Sequence, residues 1–199
     1  MNNENTWDKL LQIKTTGRDD SNSDQYRYPY EPTPYAVLER LANSGLIRKK
    51  DVVLDYGCGK GRVDFFLSYQ TKANTIGIEY DERIYQSALE NQKTVVSKGK
   101  SDFILARAEE YEVPSEVNRC YFFNPFSVEL LRKVMARIIE SYYENPREML
   151  LFFYYPSKEY ILYLMTVREL EFYDEIVCTD LFGENDTRER IMIFKISNI

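Results

Sequence analysis

The chain has 199 residues, 44% of them apolar, and a formal net charge of −6. Those values suit a single globular domain with a substantial core, and they argue against a disordered chain or a dedicated nucleic-acid binder. There is no histidine, which excludes Ser-His-Asp and Cys-His catalysis, imidazole metal sites and a histidine base working near neutral pH. The three cysteines, Cys58, Cys120 and Cys178, form no CxxC pair. Neither a disulfide framework nor a thiolate metal site is expected, and a reducing cytoplasm is the expected location. No leader peptide and no apolar run of ~18–20 residues is found, so no membrane span is expected.

In chain order, Trp7, Leu10, Leu11 and Ile13 predict a short amphipathic helix, and 17–25 reads as a polar loop. Tyr26 to Tyr35 (YRYPYEPTPY) is dense in tyrosine and proline. Proline fixes φ and extends the residue before it, so a semi-rigid strap is predicted. Thr33 is placed to cap a helix opening at Pro34, with Val37, Leu38 and Leu41 on one face. Strands are then predicted at 52–54, 75–79, 103–106, 120–123 and 149–155, with helices at 63–69, 82–98, 128–143 and 158–166. Two last strands, 172–179 and 190–196, flank the turn-rich Gly183-Glu184-Asn185-Asp186. The predicted fold is α/β: an open, mostly parallel sheet with helices on both faces and a C-terminal antiparallel hairpin. The expected organisation is an extension and strap over residues 1–33 and one Rossmann-like domain over 34–199.

The segment Val52-Val53-Leu54-Asp55-Tyr56-Gly57-Cys58-Gly59-Lys60-Gly61-Arg62 is the most informative. An apolar strand runs into an acid and then three glycines at alternate positions. Glycine is needed where φ is positive or where a ligand approaches the backbone, and open α/β sheets bind ligands at the carboxyl ends of their strands. A nicotinamide GxGxxG turn would need its third glycine at Arg62, so that pattern fails by one position. Acidic-x-Gly-x-Gly-x-Gly, met by Asp55, Gly57, Gly59 and Gly61, resembles motif I of the class I S-adenosyl-L-methionine-dependent methyltransferases. Glu79 closes the next strand about 20 residues on, the spacing at which a carboxylate accepts ribose hydroxyls. Tyr80 beside it is placed to pack on an adenine.

The resemblance implies further roles. The loop after the third strand would read the adenine amino group. Here Ala108 stands at the usual aspartate position with Glu109 beside it, so either backbone groups of the two or the Glu109 side chain would do so. Asn124-Pro125-Phe126 is similar to the (Asp/Asn)-Pro-Pro-(Tyr/Phe) motif of enzymes that methylate amino nitrogens, shortened by one proline. By that likeness Asn124 and a nearby carbonyl would hold the target nitrogen, with Phe126 beside the substrate. A Tyr-x-Pro-Thr element ahead of motif I would bring Thr33 to the methionine carboxylate and make Tyr28, Tyr30 and Tyr35 a roof, as an alternative or addition to helix capping.

The expected activity is methyl transfer from S-adenosyl-L-methionine, with a nitrogen of a protein side chain or small molecule as acceptor and nucleic acid less favoured. Such a displacement expels a neutral thioether and needs no histidine. Tyr28, Tyr30 and Glu109 are candidates to take the acceptor's proton. Cys58 is expected to be a small filler in the turn. The alternative is a non-catalytic adenosine- or partner-binding module, since a fold does not prove activity.

Overall fold

In the computed structural model, residues 3–19, 30–97, 100–183 and 186–197 are described. Seven strands form one sheet: β1 (Val52–Tyr56), β2 (Asn74–Glu79), β3 (Ser101–Leu105), β4 (Arg119–Phe122), β5 (Leu150–Tyr154), β6 (Leu170–Val177) and β7 (Arg190–Ile196). Their order is β3-β2-β1-β4-β5-β7-β6. The first five run parallel and β7 is antiparallel to both β5 and β6. The helices are α1 (Asn3–Leu11), α2 (Tyr35–Asn43), α3 (Arg62–Thr71), α4 (Glu82–Thr94), α5 (Val128–Glu144) and α6 (Lys158–Leu164). The predicted open α/β sheet with its C-terminal hairpin is therefore observed.

Two apolar layers sandwich the sheet. Alternation along β5 assigns Leu150, Phe152 and Tyr154 to the layer shared with α2 and α3. Leu151 and Phe153 go to the layer shared with α5 and α6. All five are buried, and each large apolar side chain so placed contributes about 1.5–3 kcal/mol. Helix starts follow local chemistry. Asp81 accepts from the Arg83 and Ile84 N–H groups, Ser127 from Leu130, and Ser157 from Tyr160.

Three local expectations are corrected. Helix α4 stops at Thr94 rather than running on to Lys98, which lies outside the described residues. Val95 turns to extended geometry and is buried, and the Val96 N–H pairs with the Leu11 carbonyl. The N-terminal segment thus captures the chain there. Leu10 is half exposed, whereas Leu11 and Ile13 enter the core. Thr33 does not cap α2: Pro34 is the N-cap, and a Glu4 oxygen from α1 accepts from the Tyr35 N–H at 3.0 Å.

Candidate active site

The carboxyl ends of β1, β2 and β4 open on one cleft of about 930 Å³, its mouth included. The turn after β1 supplies Gly57 and Cys58, whose N–H groups both donate to the Ile78 carbonyl on β2, at 2.9 and 3.0 Å. Gly57 has φ +75°, and a Cβ there would lie 2.6 Å from the Pro125 Cβ. Its glycine is what lets the β1 and β4 turns close on one another. Gly59, at φ +57°, lies under the Tyr30 ring, which a Cβ would meet at 2.2 Å. Gly57 borders the cleft, and Gly59 and Gly61 stand behind it, under Tyr30 and Phe103.

Asp55 and Glu79 both line the cleft and both are almost completely buried. Glu79 accepts from the backbone N–H groups of Gly59 (3.1 Å), Tyr80 (2.9 Å) and Asp81 (2.9 Å). A carboxylate has about four acceptor positions, so about one is left for an incoming hydroxyl. Burial nonetheless pushes the Glu79 carboxyl up, with the neighbouring N–H groups opposing. Asp55 is pushed up to about 7, chiefly by burial, with Glu79 adding to the effect and a hydrogen bond from Asp64 opposing it. Its Oδ2 has no hydrogen-bond partner. Such an orphaned, buried oxygen on a cleft wall fits a site completed by a cationic or hydroxyl-bearing ligand.

Tyr80, Ala108 and Glu109 all line the cleft, with Ala108 and Glu109 in a short 3-10 turn at Ala108–Glu110. Thr33 lines it too, its hydroxyl 3.0 Å from that of Tyr121 on β4. From the β4 turn, Phe123, Pro125 and Phe126 face the cleft. Asn124 is not among the lining residues. Its amide donates to the Tyr155 carbonyl, and its Oδ1 accepts from the Ser157 N–H at 3.2 Å.

The tyrosine roof is corrected in part. Tyr30 lines the cleft, but Tyr35 is wholly buried beneath the Arg62 guanidinium, 4.3 Å from its ring centre, and Tyr28 lies outside the described residues. Tyr30 is also no proton acceptor here. Its hydroxyl donates to the Thr15 carbonyl at 2.5 Å, and burial pushes the phenol far above its ordinary range. Cys58 is buried with its thiol held well up, and its side chain fills the space against Gly77, consistent with a filler. No group of metal-ligating side chains occurs among the described residues. Nor is any described helix long and apolar enough to cross a membrane.

Sequence reasoning missed Asp64, Arg62 and Tyr121. Arg62 is 2% exposed and is held by Glu4, by the Thr15 hydroxyl (2.7 Å) and by the Thr33 carbonyl (3.2 Å). Helix α1 is thereby tied to the wall of the cleft. The missed signal was charge inside an apolar helix: Arg62 and Asp64 sit among Val63, Phe65, Phe66 and Leu67.

No family model matches the chain. A stretch of 87 residues is 29% identical to a protein-lysine N-methyltransferase of Saccharolobus islandicus (strain REY15A), covering 43% of this chain. The match covers 53% of that protein, so the chain spans about half the length of the curated relative it matches. Among solved structures, a TehB-like SAM-dependent methyltransferase from Corynebacterium glutamicum superposes with a TM-score of 0.59 at 14% identity, over 99% of this chain and 97% of that one. An RNA methyltransferase from Salinibacter ruber in complex with S-adenosyl-L-homocysteine gives 0.57 at 18% identity, over 85% and 95%. An rRNA methylase from Streptococcus thermophilus gives 0.58 at 13%, over 85% and 98%. At these identities the likeness is one of architecture, and the chain has the Rossmann-like fold of the class I S-adenosyl-L-methionine-dependent methyltransferases.

Proposed function

We propose that the chain binds S-adenosyl-L-methionine in this cleft and transfers its methyl group to a nitrogen, on a protein side chain or a small molecule. The observation that carries the reading is the convergence of the Gly57-Cys58 turn, the orphaned Asp55 oxygen and buried Glu79 on one cleft. Bound there, the cofactor would supply an electrophilic methyl on a sulfonium. The chain's task is to bind, orient and exclude water. Glu79 would hold a ribose hydroxyl and Tyr80 would cover the base. The backbone at Ala108 and Glu109 would read the base edge, Thr33 and Tyr121 would face the amino-acid end, and Phe123, Pro125 and Phe126 would wall the acceptor side.

Electrostatics favour a cationic or neutral acceptor over a polyanion. Among the described residues, Asp19, Glu31, Asp55, Glu79, Asp81 and Glu109 line the cleft against the single lining cation Arg62. Nucleic-acid sites have the opposite balance. The RNA-modifying neighbours share the architecture, and their substrates do not transfer with it.

One observation supports a second reading, a non-catalytic adenosine- or partner-binding module. Both ends of the Asn124 amide are engaged within the chain. For Asn124 to hold an acceptor nitrogen, those bonds must be exchanged. A tritium-methyl transfer screen over protein, RNA and small-molecule fractions of a lysate separates the cases. Label in the protein or small-molecule fraction supports the proposal, label in RNA alone overturns the acceptor assignment, and cofactor binding without label anywhere supports the module.

A further inference from the structure

Behind the cleft wall lies a polar group that the proposed chemistry does not use. Asp64, on the first turn of α3, is 0% exposed, and neither of its oxygens has an N–H or hydroxyl donor. Its neighbour is the Asp55 carboxyl, whose Oδ2 is likewise without a donor. Two buried carboxyls with no other donor cannot both be ionised. They satisfy one another only if one carries a proton and donates it. Asp64 is wholly buried with both oxygens unpartnered, whereas Asp55 borders the cleft, so Asp64 is the carboxyl that keeps the proton; the interaction between them acts in the same sense.

The groups facing this pair act in both directions. Glu79 from β2 raises Asp55, and the buried Cys58 thiol from the turn is itself held well up, with Asp64, Glu79 and Asp55 adding to the effect of its burial. Tyr121 on β4 senses the Asp55 charge with its phenol held well up. Thr75 on β2 opposes the rise of Asp64, but its hydroxyl donates to Ser101 at 2.9 Å and makes no bond of normal geometry to Asp64. Asp55 borders the cleft and Asp64 does not.

Resting on the cofactor reading above, we propose that Asp64 is a positioning residue: it carries the one proton of the Asp55–Asp64 pair, so that Asp55 stands ionised on the cleft wall and receives the positively charged end of the cofactor. Proton occupancy of the pair then sets cofactor affinity. The pairing is a built-in device of this chain, because a leucine or valine at position 64 would suit the apolar face around it.

The test is calorimetric binding of S-adenosylhomocysteine across about pH 5.5–8.5, beside a carbon-13 titration of the aspartate carboxyls without ligand. In the wild type, affinity should rise about tenfold between pH 6 and 8 as Asp55 ionises, while Asp64 stays protonated throughout. Asp64→Asn retains a donor and should keep the midpoint within about half a pH unit. Asp64→Leu removes the donor and should raise it by about one unit or more. If Asp64→Leu does not fold, the wild-type and Asp64→Asn titrations decide, since they report directly where the proton sits. Equal midpoints in all three proteins, or an Asp64 that ionises before Asp55, overturn the inference. Binding with a flat pH profile removes the inference alone, whereas no binding at any pH removes the cofactor reading with it.

Discussion

Asn124 and Tyr155, each two residues beyond the paired ends of β4 and β5, both adopt left-handed backbone geometry, at φ +39° and +49°, and the Asn124 amide donates to the Tyr155 carbonyl. Neither is glycine, so each conformation costs about 1–3 kcal/mol that the surrounding contacts must offset. The cross-strand hydrogen bond holds both residues in that geometry at the end of the sheet.

This pairing allows backbone and side-chain roles of Asn124 to be separated. Asn124→Gly relieves the backbone while deleting the amide, and Asn124→Ala deletes the amide and keeps the strain. Asn124→Ala should be the less stable of the two by about 1 kcal/mol in urea denaturation. If the amide acts on the acceptor, both variants should bind S-adenosylhomocysteine and lose turnover. Full turnover in Asn124→Gly would show the residue to be structural only.

The tie between Arg62 and α1 predicts a large stability effect. Arg62 is 2% exposed, pairs with Glu4 and stacks on Tyr35. Arg62→Leu leaves partly buried acids unmatched and should cost about 3–5 kcal/mol in urea denaturation. The exposed pair of Arg40 with Asp180 at 2.6 Å is the contrast; Arg40→Leu should cost no more than about 1 kcal/mol. Equal effects would contradict the burial argument.

Gly59 is predicted to couple to Tyr30. Gly59→Ala adds both strain and a clash with the ring, whereas Gly45→Ala, at φ +77° with nothing within 4 Å, adds strain alone. Gly59→Ala should therefore be the more damaging. A double-mutant cycle with Tyr30→Ala should return a coupling of about 1–3 kcal/mol. Additive effects would mean that the ring does not press on the turn.

Stability should fall as pH rises through neutrality. Asp55 is held at about 7, above its unfolded value near 4, so the folded state keeps a proton that the unfolded state has lost. Its contribution is complete below about pH 4 and disappears as pH passes about 7, a loss of order 3–4 kcal/mol. Glu79 and Asp64, also raised by burial, act with the same sign. Urea denaturation between pH 5 and 8 checks this, and stability that rises across that interval would contradict it.

The architecture was legible because it is written in local periodicity. β7 falls at 190–196 as predicted, and the continuous apolar run at 149–155 became the buried β5. The turn after β1 was legible because three glycines in five residues mark a special backbone. What escaped depends on contacts between residues far apart in the chain. Thr33 was read against its neighbour Pro34, but its hydroxyl meets Tyr121, and the capping acceptor for α2 comes from Glu4. The Asp55–Asp64 pair spans one turn of chain and was still missed, because an acid in a helix reads as solvated until its burial is known.

S-adenosyl-L-methionine is the ligand proposed for this cleft. Isothermal titration with S-adenosylhomocysteine at about pH 8 tests it most directly. One site per chain is expected, weakened in Asp55→Asn, with about 2.7 kcal/mol of added stability at a hundred times the Kd. Absence of both heat and thermal shift in the folded protein would contradict it.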